Sequence, residues 1–445
     1  MKQLLKRIFS ASEILLLLAV MSVSMLVRVG LYQRFSRSES MQSTMAWVDS
    51  WDYVNYSKAI FNGIFLSTDF DAAESEFYRI DEIPPVYPMI LAVFYKVVGY
   101  QNLRSVIVLN LLINLLIMYL IYYLAKKLTS SKLALLPALL WGVYINSLVL
   151  TGQAIKEPFI TLFILLICLL VYKLLLKPAT YHVVLLAIIN AVFAHMDERY
   201  IFMTVLSLAA VIYIYFLRGD KKQLVRSAAI YTLICTALFI PWQVRNYLRY
   251  DRFVLITPRT AMITDPILGY ENRESVIADL TAKVTQGQID SIYRDQKPVS
   301  VDSVTAKNIL KDRQYGLRPH YFNIGERIVY NTAGFWQMVP MKPFLVGSGY
   351  KIAWQWSLKW SLMVIAGYTI FFFMSLPAFY LAIRKRHFIL LFFGAILLVN
   401  TLQHAILGAG LVRYRAVMDP LIFIAATYTI SQFIQIRNKQ TQKKG

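Results

Sequence analysis

Long apolar runs separated by short basic clusters are the feature that most limits what this chain can fold into. A helix needs about 20 mostly apolar residues to cross the roughly 30 Å hydrocarbon core of a bilayer. Hydrophobic residues make up 58% of the 445 residues, more than a water-soluble fold can bury. The sequence therefore predicts an all-α polytopic membrane protein with about ten transmembrane helices. We place these helices at 11–31, 104–125, 132–150, 158–176, 181–196, 200–217, 226–242, 356–383, 387–407 and 416–435.

The Lys and Arg residues between these runs are distributed unevenly over the two predicted sides of the membrane. The N-terminus, alternate loops and the C-terminal tail hold roughly nineteen bases and one acid, Asp220. An excess of Lys and Arg is typical of cytoplasmic loops, so both termini are expected in the cytoplasm. The formal charge of +21 is explained by this orientation signal, and no nucleic-acid partner is predicted from it.

The apolar stretch 85–99 is shorter than the other runs, and Pro84, Pro85 and Pro88 lie at its start. A stretch of this length is too short to cross the bilayer. We expect a re-entrant or interfacial helix at the outer face.

An acidic segment precedes this short helix. Residues 49–82 contain eight carboxylates against two bases, Lys58 and Arg79, in a chain that is otherwise strongly basic. Such a segment at a membrane face indicates a chemical role. The predicted organisation is a membrane core at 1–242 with its first outer loop at 32–103, a long extracytoplasmic loop with interfacial helices at 243–355, C-terminal transmembrane helices at 356–435 and a basic cytoplasmic tail at 436–445.

Four motifs follow one another along the predicted outer face. Asp-Ser-x-x-Tyr begins at Asp49, Pro-Pro-x-Tyr-Pro begins at Pro84, Pro-Trp-Gln-Val-Arg-Asn-Tyr spans 241–247, and Arg-Tyr-Arg at 413–415 stands ahead of Pro420. In this order the motifs resemble those of the GT-C glycosyltransferases. These integral membrane enzymes are related to the protein O-mannosyltransferases and to the lipid A aminoarabinose transferase. The resemblance extends over the full length of the chain.

The resemblance implies that a sugar moves from a polyprenyl-phosphate donor to an acceptor on the far side of the membrane, with inversion. The acceptor is expected to be a hydroxyl of a lipid, a glycan or a protein. Asp49 matches the family's catalytic base. A hydroxyl is a poor nucleophile, and a positioned carboxylate can accept its proton during the attack. The alternative for Asp49 is an N-cap of the helix that begins near Ser50.

Two further carboxylates are predicted to be catalytic. Glu82 matches a family carboxylate, although Ile83 replaces the adjacent family Lys. Glu157 stands before Pro158 at the outer start of a span. It either completes an acidic cluster, which could hold a divalent metal ion or the acceptor, or it is favourable charge at a helix N-terminus. Members of the fold differ in metal use, so a metal cofactor is left open.

The leaving lipid phosphate requires cations near the outer headgroup plane. Arginine suits this role because its guanidinium can form two parallel hydrogen bonds to phosphate. The alternative for each arginine is ordinary anchoring to the headgroups of membrane lipids. The residues predicted to bind substrate are Asp52, Tyr53, Tyr87, Arg245, Arg413 and Arg415.

The turn at 195–199 places His195, Asp197, Glu198 and Arg199 between two spans. Its two carboxylates beside a histidine could bind a metal. The favoured interpretation is a helix hairpin in which Arg199 pairs with Asp197 or Glu198. His404, in an apolar span, is expected to hydrogen-bond within the bundle.

Two other classes of function stay open. A glycan polymerase or ligase on the same face would need similar acidic and basic residues. A flippase or transporter of lipid-linked glycans would place ionisable residues at mid-membrane, where this sequence has almost none. For the enzyme we predict a bacterial inner or plasma membrane, with the active site facing outside.

Overall fold

The computed structural model describes residues 11–36, 48–61, 83–99, 103–129, 132–152, 155–250, 254–257, 328, 332, 335–336, 358–406 and 412–442. Within these ranges the chain forms fourteen α-helices and a short 3-10 helix, Glu198–Tyr200, and no strand. The predicted all-α class is confirmed. The helices are α1 (Ala11–Ser36), α2 (Val48–Phe61), α3 (Val86–Val98), α4 (Leu103–Leu128), α5 (Leu135–Val143), α6 (Ile145–Gly152), α7 (Glu157–Leu176), α8 (Thr180–Met196), α9 (Phe202–Leu217), α10 (Lys221–Tyr250), α11 (Leu358–Lys385), α12 (Phe388–Ile406), α13 (Val412–Ala416) and α14 (Asp419–Gln442).

Each of the ten predicted spans falls on helical structure. Among the described residues, six helical stretches are both long and apolar enough to cross a membrane, and they lie in α1, α4, α7, the 3-10 helix with α9, α10 and α12. The total of ten crossings stays a prediction. Most of the predicted acidic loop and most of the predicted long loop lie outside the described residues.

The helices pack as an apolar bundle with chemically different ends. At one end Lys126 pairs with Glu13, and Arg218 Nη2 donates to the Leu175 carbonyl at 2.8 Å. At the other end the short connections between α6 and α7 and between α8 and α9 carry buried polar side chains. Basic and polar connections thus lie at opposite ends of the bundle, in agreement with the predicted loops. The assignment of the basic end to the cytoplasm stays a prediction.

Helix α3 corresponds to the predicted short helix at 85–99. Its 13 residues are about 20 Å long, less than the thickness of the hydrocarbon core. Gly99 ends it in the left-handed conformation, with a φ of 73°, and its N–H donates to the Tyr95 carbonyl. One side of α3 is buried against α2, and the other exposes apolar side chains, among them Val93 and Val97.

The predicted span 132–150 is wrong as a single helix. The chain is extended at Tyr144, with φ of −69° and ψ of 129°, so α5 ends and α6 begins there. The break leaves carbonyls of α5 without helical donors. Arg28 of α1 supplies replacement donors. Its guanidinium donates to the carbonyls of Gly142 and Trp141 and to the Ser147 hydroxyl.

Helix α10 continues beyond the predicted boundary at 242. It contains Pro241 and ends at Tyr250, so the first residues of the predicted long loop are helical. Residues 254–257 then fold back onto α10. Trp242 Nε1 donates to the Ile256 carbonyl at 2.7 Å, and Asn246 Nδ2 donates to the Val254 carbonyl at 3.0 Å.

Candidate active site

Helix α2, which we call the acidic helix, the Pro-Pro-x-Tyr-Pro motif at Pro84, which we call the proline motif, and the start of α7 meet at the polar end of the bundle. Tyr53 of α2 packs edge-on against Tyr87 of α3, with ring centroids 5.0 Å apart. Tyr87 in turn packs against Phe159 of α7 at 5.6 Å. The Lys156 ammonium lies 5.7 Å from the centre of the Tyr53 ring. The structure thus brings together two predicted substrate residues, Tyr53 and Tyr87, and adds a lysine that the sequence interpretation missed.

Asp197 is the centre of a buried ion network beside these rings. Lys156 Nζ lies 3.1 Å from Asp197 Oδ2. Arg199 donates through Nε to Asp197 Oδ1 at 2.8 Å and through Nη2 to Asp197 Oδ2. The predicted pairing within the turn is confirmed, and Asp197 is the partner. The additional bond to Lys156 ties the α8–α9 turn to the start of α7.

The protonation of Asp197 follows from these contacts. Burial alone would raise the pKa of its carboxyl, because a charged group loses hydration. The charges of Arg199 and Lys156, and their hydrogen bonds, act in the opposite direction and hold this pKa well below its usual range. Asp197 is therefore ionised at neutral pH.

Glu157 is the first residue of α7 and is only 3% exposed. Its position matches the prediction of a carboxylate at the polar end of this span. A carboxylate there is stabilised by the partial positive charge of the helix N-terminus. Both earlier interpretations, a catalytic carboxylate and a favourable helix charge, stay open.

Arg415 forms a second buried ion pair at the same end of the bundle. Its Nε lies 3.2 Å from Asp419 Oδ1, and both side chains are fully buried. Arg415 Nη2 also donates to the Tyr144 hydroxyl at 3.2 Å, and the guanidinium lies 3.6 Å from the centre of the Tyr368 ring. Trp336 contributes a carbonyl acceptor at 3.5 Å.

Tyr414 connects the two ion pairs. The Arg199 guanidinium lies over its ring at 4.0 Å, and the imidazole of His404 stacks on the ring at 4.6 Å. Asn400 Nδ2 donates to the Tyr414 carbonyl at 3.3 Å. The α8–α9 turn and the α12–α14 region are therefore joined at one site.

Arg245 lies at the edge of this region, 7% exposed. Its guanidinium stacks over the Trp242 ring at 4.7 Å and donates to Asn246 Oδ1 at 3.0 Å. The adjoining segment 254–257 reaches the α8–α9 turn, because the Thr257 hydroxyl donates to the Glu198 carboxylate.

The other predicted site residues lie wholly or partly outside the described structure. Asp49 and Asp52 belong to α2, and Arg413 belongs to α13, but their side chains are outside the described part. Glu82 is outside it altogether. Helix α2 begins at Val48, so Asp49 lies in its first turn and not before it. The described residues contain no group of three metal-binding side chains, and the metal cofactor stays open because Asp49 and Glu82 lie outside this part.

Two charged residues of the site were missed in the sequence. Asp419 follows Arg415 by four residues, a spacing that places opposite charges on one helix face and could have revealed the pair. Lys156 stands directly before Glu157, but nothing in the sequence joins it to Asp197. That contact is tertiary.

Comparisons with known proteins agree with the fold. Residues 82–244 match a family described as dolichyl-phosphate-mannose-protein mannosyltransferase. No curated protein matches the chain in sequence. The archaeal oligosaccharyltransferase AglB from Archaeoglobus fulgidus, solved with an inhibitory peptide and a dolichol-phosphate, has a TM-score of 0.56 and 13% identity. The match covers 98% of this chain and 52% of that one.

Two further structures of the Archaeoglobus fulgidus oligosaccharyltransferase are also similar in fold at low sequence identity. The apo form has a TM-score of 0.52 at 13% identity, over 96% of this chain and 52% of that one. The complex with Zn and sulfate has a TM-score of 0.51 at 12% identity, over 95% of this chain and 49% of that one. The chain spans about half the length of these structures. Its fold is that of the GT-C glycosyltransferases, as the motif resemblance predicted.

Proposed function

We propose that this protein is a membrane glycosyltransferase that moves a sugar from a polyprenyl-phosphate donor to an acceptor hydroxyl at the outer membrane face. One observation carries the proposal. The acidic helix, the proline motif, the start of α7 and the Arg-Tyr-Arg motif meet at one end of the bundle, linked through Tyr53, Lys156, Asp197, Arg199 and Tyr414.

The reaction we propose is a single in-line displacement. The acceptor oxygen forms a bond to the anomeric carbon while the bond from that carbon to the phosphate oxygen breaks. Asp49 accepts the hydroxyl proton, and the prenyl phosphate leaves with the bonding electron pair. A single displacement inverts the anomeric centre. Asp49 lies one turn before Tyr53 on α2, and the contact of Tyr53 with Lys156 supports placing this turn at the site.

The contacts of Arg415 bear on how the leaving phosphate is stabilised. We predicted that this residue binds the phosphate directly. Its guanidinium is fully buried and is held by Asp419, Tyr144 and Tyr368. These contacts favour a role in fixing the α12–α14 region, and direct binding would require some of them to open. Arg413 and Arg245 stay candidates for the phosphate.

A divalent metal ion, if one is bound, would have Glu157 as its ligand within the described structure. Asp49 and Glu82 are the additional carboxylates that we propose for it. Such an ion would act as a Lewis acid on the donor phosphate. Addition of a chelator during transfer tests this directly.

The proposal as a whole is tested with purified protein in liposomes. A set of polyprenyl-phosphate sugars is supplied, and release of prenyl phosphate is measured together with glycosylation of lipid, glycan and peptide acceptors. The expected result is coupled release and transfer with inversion. Binding of the donors without any release, across donors and acceptors, would contradict the enzymatic assignment and favour a transporter of lipid-linked glycans.

A further inference from the structure

The guanidinium of Arg199 is held on one edge and one face, in the same manner as the fully buried guanidinium of Arg415. One edge is fixed by Asp197 through Nε and Nη2. One face lies on the Tyr414 ring at 4.0 Å. An edge and a face together fix both the position and the plane of the group. A guanidinium fixed in this way loses little further freedom when it binds a ligand.

The second edge of this guanidinium, which we call its open edge, has no partner among the described residues. No described residue accepts a hydrogen bond from Arg199 Nη1. The Arg199 side chain is 22% exposed, whereas Asp197 is 2% exposed and Arg415 is fully buried. Arg199 is therefore the accessible member of the two ion pairs, and Arg415 is the enclosed one.

Two carboxylates near Arg199 also contact other groups. Asp197 is shared between Arg199 and Lys156, so one carboxylate faces two cations. The nearby Glu198 carboxylate accepts from the Thr257 hydroxyl. The ligand best suited to an open guanidinium edge is an oxyanion that accepts two parallel hydrogen bonds, and phosphate has that geometry.

We propose that Arg199 binds the phosphate group of the lipid-linked donor through this open edge. Asp197 and Tyr414 are its positioning residues. This inference rests on the proposed function, since the donor is the phosphate-bearing substrate. It adds a phosphate contact to those that the sequence interpretation assigned to Arg245, Arg413 and Arg415.

The test measures lipid binding by the full chain in nanodiscs of phosphatidylcholine. A polyprenyl phosphate and the matching polyprenol are compared for wild type, Arg199→Gln, Arg199→Lys and Arg218→Gln. Arg218 is the matched control, because it is an arginine at the opposite, basic end of the bundle. Thermal unfolding of each variant identifies loss of fold.

Wild type is expected to prefer the phosphate over the alcohol, and Arg199→Gln is expected to weaken phosphate binding by about 10- to 100-fold, the effect of losing charge-assisted hydrogen bonds. Arg199→Lys keeps the charge beside Asp197, so it preserves the ion pair if the Gln variant fails to fold. It should recover only part of the affinity, since lysine lacks the planar fork. Arg218→Gln should bind like wild type.

Three results would contradict the inference. Unchanged phosphate preference in both folded Arg199 variants would show that Arg199 does not bind the phosphate. The proposed donor class, a lipid phosphate, would be unaffected. Displacement of the polyprenyl phosphate by equimolar phosphatidylglycerol would make Arg199 an ordinary headgroup anchor. Equal binding of phosphate and alcohol by wild type would instead overturn the donor class, and with it the proposed function.

Discussion

Breaking the ion pair between Arg415 and Asp419 should destabilise the protein far more than removing the pair altogether. Both side chains are fully buried and lie 3.2 Å apart. Asp419→Leu removes the carboxylate of the pair, and the other described contacts of Arg415, with the Tyr144 hydroxyl, the Trp336 carbonyl and the Tyr368 ring, are neutral. Leaving one charge of a buried pair uncompensated costs about 3–5 kcal/mol.

The double variant shows whether the two charges act as a pair. Arg415→Met alone should be milder than Asp419→Leu, because a buried carboxylate without a cation can take up a proton and become neutral. The double variant replaces the pair by apolar side chains, which is often neutral or stabilising. We expect it to lie within about 2 kcal/mol of wild type, so the two single effects are strongly non-additive.

The measurement is chemical unfolding in mixed micelles, followed by tryptophan fluorescence, for wild type, both single variants and the double variant. Lys385→Ala is the control, since its exposed contact with Gln432 should contribute less than about 1 kcal/mol. A double variant as unstable as the sum of the single variants would refute the reasoning. It would mean that the two charges act independently of each other.

Two further predictions concern the rest of the polar end. Asp197 has a depressed pKa in the folded protein, so its contribution to stability is present above about pH 4 and is lost as the pH falls below that value. Asp197→Asn should therefore unfold more easily at pH 7 but lose less stability between about pH 5 and pH 3, with Asp220→Asn as the exposed control, and parallel pH profiles of wild type and Asp197→Asn would contradict this. Arg28→Met should raise amide hydrogen exchange around Tyr144, because the carbonyls of Gly142 and Trp141 lose their donors, whereas Arg28→Lys should do so less. Unchanged exchange at this break in the methionine variant would show that Arg28 does not hold it.

The positions of the helices could be predicted from sequence because the membrane imposes a simple rule. A span must be apolar and about 20 residues long, and the basic clusters indicate which ends share a side. The short helix α3 followed from the same rule, since its apolar stretch was too short to cross. These features depend on local sequence alone.

The break at Tyr144 could not be predicted in this way. The stretch from α5 to α6 is mostly apolar, and its proline, Pro137, lies well before Tyr144, so the hydrophobic pattern favours a continuous helix. At the break Arg28, more than a hundred residues earlier, satisfies the released carbonyls. A donor from another helix leaves no signal in the sequence of the broken one.

The candidate site could be predicted only in part, because some of its features depend on tertiary contacts and burial. Motif order predicted that Tyr53, Tyr87 and Arg415 lie at one face, and their predicted roles in substrate binding stay predictions. The role of Asp197 needed its contact with Lys156, and the accessibility of Arg199 compared with Arg415 needed their burial. Sequence patterns indicate which residues reach an end of the bundle, but not which of them are enclosed there.

We propose that Asp49, in the first turn of α2, is the general base. The most direct measurement is sugar transfer by purified Asp49→Asn protein, with Asp52→Asn as the control on the same helix. Asparagine keeps the shape of the side chain but cannot accept the acceptor's proton. Turnover should fall by about 10²- to 10⁴-fold while donor binding and folding are kept, and Asp52→Asn should be milder. Near-normal transfer by Asp49→Asn would contradict the mechanism, and would leave Asp49 as a favourable charge at a helix N-terminus.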